Sequence, residues 1–501
     1  MGNRNAPEGT MKKHPQLLEL NAFFFISQMS EKYGRHLTLA TVPSEEWKTF
    51  SERGFDCLWL MGVWTRSPGS RAHAVKEPNL CRAYDLILPD WKKEDVTGSP
   101  YAIYRYELDP YLGKPEELLQ LKMKLNGMGL SLILDFVPNH LSFDHPWTVE
   151  SPDLFVSCRT ETVRAHPDWS FITAEGKKIA HGRDPFFAPW IDTAQINFWS
   201  PAAREAWRSE LLRIARVADG VRCDMAMLGL NDVFQRVWGE HITEKRPETE
   251  FWAEVIPEVK KVAPNFLFIG EVYWDLDWTL QQLGFDFTYD KTLFDRMFFD
   301  SPTSVRDHLR AEPAYRDKCL RFIENHDEER ATVNFGKQKS RAAGMITSTV
   351  PGLRFFHDGQ MQGRRIRTPI HLRREPKEAP NPEISDMYKR LLRFIKTPVT
   401  HDGEWMLLNT RPAWENNETH QAILVWLWGW QQDWKMVVIN YSLIRAQAFI
   451  RIPEFLLRQF FIQFRDALTD KVYDHTGEEL SQRGLYVDLH PWQSHLFEFK
   501  V

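Results

Sequence analysis

From Leu18 to Phe356 the chain alternates short continuous apolar runs with segments whose apolar positions recur at helical spacing. Leu18–Ile26, Cys57–Met61, Leu130–Val137, Gly220–Cys223, Phe266–Val272, Cys319–Ile323 and Leu353–Phe356 read as strands buried on both faces. Helices lie between them. Ser44 is the expected N-cap of one that Gly54 closes, and Pro115–Leu125 forms another with Gly127 and Gly129 at its exit. Ser200-Pro201 opens a helix running to Val217, with Trp207, Leu211, Ile214 and Ala215 on one face. Phe251, Val255, Val259 and Val262 mark a further helix, although Pro257 falls inside it.

This alternation predicts an α/β protein built as a (β/α)8 TIM barrel; a doubly wound open sheet would give the same pattern. Two regions break the rhythm. After the third strand, residues 141–198 form a long irregular segment rich in Pro, His, Asp and aromatics, read as a small inserted subdomain. From residue 398 onwards the helical spacing gives way to strand-like runs. These are Ala422–Trp428, Lys435–Tyr441, Ala446–Ile452, Phe460–Phe464, Leu485–Leu489 and His495–Phe499, a C-terminal all-β sandwich domain. The division is 1–140 and 199–397 for the barrel, 141–198 for the insertion and 398–501 for the sandwich.

Composition narrows the function classes. With 501 residues, 43% of them hydrophobic, the chain can bury a large core. Basic and acidic residues, 63 and 68, are interspersed, which gives no reason to expect a nucleic-acid or anionic-membrane partner. Five scattered cysteines without a CxxC suit a reducing compartment. The polar start, Met1 to Lys13, lacks the apolar core of a secretory signal, and Ala6 stands where a myristoylation signal needs Ser or Thr. A cytoplasmic, membrane-free protein is expected.

In a (β/α) barrel the catalytic groups sit where strands end, and here those ends are polar. The third ends in Asp135-Phe136-Val137-Pro138-Asn139-His140, the fourth in Arg222-Cys223-Asp224. The fifth runs Gly270-Glu271-Val272, and the seventh Glu324-Asn325-His326-Asp327. Arg222 and Asp224, two apart on a strand, point to the same side, where an arginine favours the ionised carboxylate. Carboxylates with separated pKa values are what glycosidic cleavage needs, one to protonate the leaving oxygen and one to attack or to activate water. Clustered arginines at Arg364, Arg365, Arg367, Arg373 and Arg374 read as ordinary ion pairs, and Glu324, Glu328 and Glu329 as solvated or ion-paired.

These four stretches, in this order and spacing, resemble the four signature regions of the α-amylase superfamily of retaining α-glucosidases and glucanotransferases. The resemblance covers nearly the whole chain. It implies that Asp224 is the nucleophile, Glu271 the general acid/base and Asp327 the third carboxylate holding the sugar hydroxyls. It makes Arg222, His140, His326 and Tyr101 substrate-side residues and Asp135 a structural support. It also makes Asn139 a candidate calcium ligand, although its aspartate partners are not identifiable; no cofactor is otherwise required. The chain departs from the pattern at Met227 and Leu228, where many members carry a Lys and a His on the leaving-group side, and at Arg105, where an aspartate is expected. The implied activity is retaining cleavage of α-glucosidic bonds in α-glucans or oligosaccharides. The alternatives are a transglycosidase acting on sucrose, trehalose or maltooligosaccharides, and a catalytically silent sugar-binding relative.

Overall fold

The computed structural model describes residues 11–501; Met1–Thr10, on which most of the leader and lipidation reading falls, lie outside the described residues. Eight parallel strands close into a barrel: Gln16–Asn21, Cys57–Met61, Ser131–Phe136, Gly220–Cys223, Leu267–Gly270, Phe287–Tyr289, Cys319–Arg321 and Leu353–His357. Leu17 of the first strand pairs with Cys57 of the second and with Phe355 of the eighth, so the open-sheet alternative falls. In the fourth strand Arg222 stands between Asp135 of the third and Ile269 of the fifth. That register brings the polar ends of three strands to one rim.

The helix Pro201–Val217 shows how the sequence fixes this rim. Ser200 caps it through the Ala203 amide, and Pro201 takes the first turn, where its missing N–H costs nothing. Its inward Trp207 is 1% exposed, packs edge-on against Phe136 and donates from Nε1 to the Pro138 carbonyl at 2.9 Å. The exit of the third strand is thereby tied to a helix 60-odd residues away in sequence, as the bond's separation of 69 positions shows.

Several expected boundaries move, each for a local reason. The run Leu18–Ile26 is not one strand: Asn21 accepts from the Phe23 and Phe24 amides, ends the strand and caps a helix over Ala22–Tyr33. Ser44 lies inside the next helix, whose N-cap is Pro43 with no side-chain bond, and Gly54 closes it in the left-handed region. The helix expected from Pro115 begins at Glu117. The helix Phe251–Val262 runs through Pro257. The sixth strand, Phe287–Tyr289, is three residues long and was not legible as an apolar run.

Inside the insertion, His140–Ser142 pairs with Thr193–Gln195 and Ser170–Ile172 with Lys178–Ala180. The C-terminal part has a six-stranded and a three-stranded sheet sharing one core, in which Ile450 and Leu489 meet Val425 and Phe464. Three of its strands, Glu404–Leu407, Thr410–Pro412 and Val472–Thr476, were not anticipated, nor was the helix Gly477–Arg483. The six-stranded sheet is fastened to the barrel by Trp428 Nε1 to Thr349 O at 2.6 Å and Tyr441 OH to Met297 O at 2.7 Å. No helix among the described residues is long and apolar enough to cross a membrane.

Candidate active site

Arg222 is the hub of the rim, 1% exposed and enclosed by the rings of Trp59, Tyr101 and Tyr289 at 5.1, 5.5 and 5.6 Å. Its two terminal nitrogens serve two carboxylates differently. Nη1 donates a hydrogen bond to Asp224 Oδ1 at 2.6 Å. Nη2 stands 2.7 Å from Glu271 Oε2, yet without the alignment of a hydrogen bond. One guanidinium thus lies against both acids, and a retaining mechanism needs two carboxyl groups close together about one glycosidic bond. From Arg222, Asp224 has the aligned bond that stabilises its anion and Glu271 only the charge.

The electrostatics follow that asymmetry. Burial pushes Glu271 up to about 7, reinforced by the charges of Asp224 and Asp327 and opposed by Arg222 and by the Met225 amide. That amide donates to Glu271 Oε2 at 2.7 Å. Met225 can aim it there because its φ is 42°, a left-handed conformation that costs a non-glycine residue of order 1 kcal/mol. Burial also raises Asp224, with the charge and the hydrogen bond of Arg222 pulling against it. Of the two, Glu271 at about 7 is the acid able to carry a proton near neutral pH.

The third carboxylate is the open one: the Asp327 side chain is 49% exposed. His326 lies beneath it, with Nε2 2.9 Å from Asp327 Oδ2 and 2.7 Å from the Tyr101 hydroxyl. On its other side Nδ1 is 2.6 Å from Glu19 Oε1. Burial alone would lower the His326 pKa, but carboxylates on both sides raise it well above its ordinary value, which makes it an imidazolium. That cation in turn holds Asp327 below the usual carboxylate range. Tyr101 stacks on His326 with ring centroids 5.5 Å apart.

The remaining predicted residues sort by their contacts. Asp135 takes the Trp59 indole N–H at 3.0 Å and the Gly62 amide at 2.6 Å, so its carboxylate is spent on the barrel mouth. His140 is 4% exposed and lies against Trp190 at 5.1 Å; burial lowers its pKa to about 4, so the ring is neutral. Met227 and Leu228 are 0% and 2% exposed, so they face the core and offer a leaving group nothing. Of the clustered arginines, Arg364 pairs with Glu375, and Arg373 and Arg374 with Asp95, whereas Arg365 and Arg367 have no ion pair among the described residues. Glu324 is buried and paired with Arg330 rather than solvated, and Glu328 pairs with Lys291. Glu19, Tyr273 and Tyr289 complete the site and were missed. Glu19 had a signal, a lone carboxylate inside Leu17-Leu18-Glu19-Leu20, the same cue that drew attention to Asp135.

Asn139 does not fit a calcium site. Its Oδ1 accepts from Gln195 Nε2 at 2.9 Å, and the same Nε2 also lies 2.9 Å from Asn139 O and 3.0 Å from Ile196 O. Three oxygens converge on an amide nitrogen, where calcium would need six or more oxygen ligands of its own. Among the described residues no group of three or more His, Cys, Asp or Glu side chains could hold a metal. Dialysis against EDTA is accordingly expected to leave the Tm unchanged; a fall in Tm that added Ca²⁺ reverses would show a cation site here.

A closed parallel barrel with buried carboxylates at its strand ends and a β-sandwich behind it defines the architecture of the α-amylase class, and the comparisons agree. The family described as alpha amylase, catalytic domain, matches residues 88–378, more than half of the chain, and the chain belongs to that family. Alpha-amylase 3 of Dictyoglomus thermophilum is 26% identical over 296 residues, covering 54% of this chain and 55% of that protein. Alpha-amylase 2 of the same organism is 24% identical over 336 residues, 64% of this chain and 56% of that one. The chain thus spans about half the length of these curated relatives. The fold is shared with a maltogenic alpha-amylase from Thermotoga neapolitana, TM-score 0.67 at 17% identity over 98% of this chain and 99% of that one. It is shared equally with an alpha-amylase from Geobacillus thermoleovorans solved with acarbose, TM-score 0.65 at 18% identity over 98% and 99%.

Proposed function

We propose that this protein is a retaining glycosidase that cleaves α-glucosidic bonds of oligosaccharides or α-glucans through a glycosyl-enzyme on Asp224. The observation that carries the reading is the division of labour at Arg222, which gives a hydrogen bond to Asp224 and only a charge to Glu271. In the first step Asp224 attacks the anomeric carbon while Glu271 gives its proton to the departing oxygen. In the second step the Glu271 carboxylate takes a proton from water or an acceptor hydroxyl, which displaces Asp224. Two inversions retain the α configuration. Asp327, ionised over the His326 cation, is placed to hold hydroxyls of the distorted ring.

Incubation of the purified chain with maltotriose, glycogen, sucrose and trehalose, with products and their anomers read by NMR, tests this. The expected result is an α-anomeric product from at least one of them, absent with Asp224→Ala. A β-anomeric first product overturns retention. Sugar binding without product, equal in both proteins, would instead favour the silent relative.

A further inference from the structure

The two oxygens of Glu271 have different surroundings. Oε2 receives the Met225 amide at 2.7 Å and faces Arg222 at the same distance, so it is held from the barrel side. Oε1 receives one hydrogen bond, from the Tyr273 hydroxyl at 2.9 Å. The oxygen free to meet a leaving group is therefore Oε1. We propose that Tyr273 is a positioning residue for the proton donor, its hydroxyl steering Glu271 Oε1 toward the leaving oxygen and holding it there between the two half-reactions. The proposal rests on the retaining reading above and adds a residue to it.

The backbone favours this placement. Tyr273 follows Glu271 by two positions, the spacing that puts side chains on one side of an extended segment. Immediately after it, Trp274 and Asp275 have φ of 63° and 57°, two successive non-glycine residues in the left-handed region. Just before this turn the Tyr273 hydroxyl reaches Glu271 Oε1. The turn is braced from outside, where the Trp274 ring meets Phe186 of the insertion at 5.2 Å. Strain of this kind persists only where surrounding contacts hold it, and it clusters at functional sites.

The phenol also has the right chemistry. It is half-buried, and burial together with Glu271, Asp327 and Tyr289 pushes its pKa well above 10 against the pull of Arg222, so it remains a donor throughout the working range. A donor to Oε1 favours the ionised acid. When Glu271 holds its proton on Oε1, that oxygen keeps a lone pair with which to accept the Tyr273 hydroxyl while its own O–H points at the leaving oxygen. Once that proton has been transferred, the same hydroxyl bonds the carboxylate more strongly and holds it aimed at the incoming water. No proton enters or leaves through Tyr273 in this scheme. With Met227 and Leu228 turned into the core, Tyr273 is the polar side chain bonded to the acid/base on this side.

Tyr273→Phe removes the hydroxyl and keeps the ring. The expected result is a kcat about 10-fold lower for substrates whose leaving group needs a proton, with KM changed far less. Their basic limb of kcat/KM should move up by about one pH unit, because the bond that favoured the Glu271 anion is gone. Glycosylation by α-glucosyl fluoride, whose leaving group needs no proton, should be unchanged. An unmoved or downward-shifted limb in a variant whose Tm equals that of wild type overturns the proposal, and so does an equal loss in the glycosylation rate of both substrate types. Failure of the broader reading looks different, since wild type itself would then release nothing from either substrate.

Discussion

Asp224→Ala is expected to lower kcat/KM by 10⁴-fold or more on any α-glucoside the enzyme accepts, the scale on which nucleophile deletions act. The variant should still bind substrate, because Asp327, His326 and Tyr101 are held by contacts to one another and not by Asp224. Removing the carboxylate also withdraws a negative charge that raises the Glu271 pKa. Glu271 in the variant should therefore ionise at lower pH, a second effect in the same direction. The vacated space is bounded by Arg222, a cation ready for a small anion. Azide added to the variant with α-glucosyl fluoride should restore turnover and give the β-glucosyl azide, a single inversion. An α-azide, or a variant whose kcat/KM falls less than about 10-fold, would remove Asp224 from the nucleophile's role.

The sequence exposed the barrel because its strands are buried on both faces, and a continuous apolar run such as Cys57–Met61 stands out from amphipathic helices. It did not expose the sixth strand, whose three residues include Thr288 and give no run to see. It misplaced the end of the first strand because Phe23, Phe24, Phe25 and Ile26 are as buried in a helix as they would be in a strand. Only the capping bonds of Asn21 separate the two, and hydropathy does not record them. The same limit applies at the site. Asp224, Glu271 and Asp327 were legible because a carboxylate ending a buried strand must have a purpose. Tyr273 was not, because an aromatic residue after a strand is ordinary and its function lies in the direction of one hydroxyl. Asn139 shows the converse: its position matches a ligand's, but the three-dimensional partner is Gln195, not a set of acids.

Glu271→Gln is expected to lower kcat on natural glycosides by about 10³-fold while leaving the first step with α-glucosyl fluoride within a few-fold of wild type. The argument turns on which substrate needs a proton. With Glu271 at about 7, the acid is protonated below neutrality, and kcat/KM of wild type on glycosides should fall as pH rises through that value. Fluoride departs without general acid help, so its basic limb should be absent in wild type, and the glutamine variant should show none with either substrate. The second step still needs a base, so the variant should accumulate the glycosyl-enzyme from the fluoride, visible as a burst and by intact-protein mass. In Glu271→Ala, azide attack on that intermediate should yield the α-glucosyl azide, the opposite anomer to that expected from Asp224→Ala. The two variants thus discriminate the two roles by product stereochemistry, since one inversion separates them. Equal losses of Glu271→Gln on glycoside and fluoride, or a wild-type basic limb that is the same for both, would show that Glu271 does not deliver the proton.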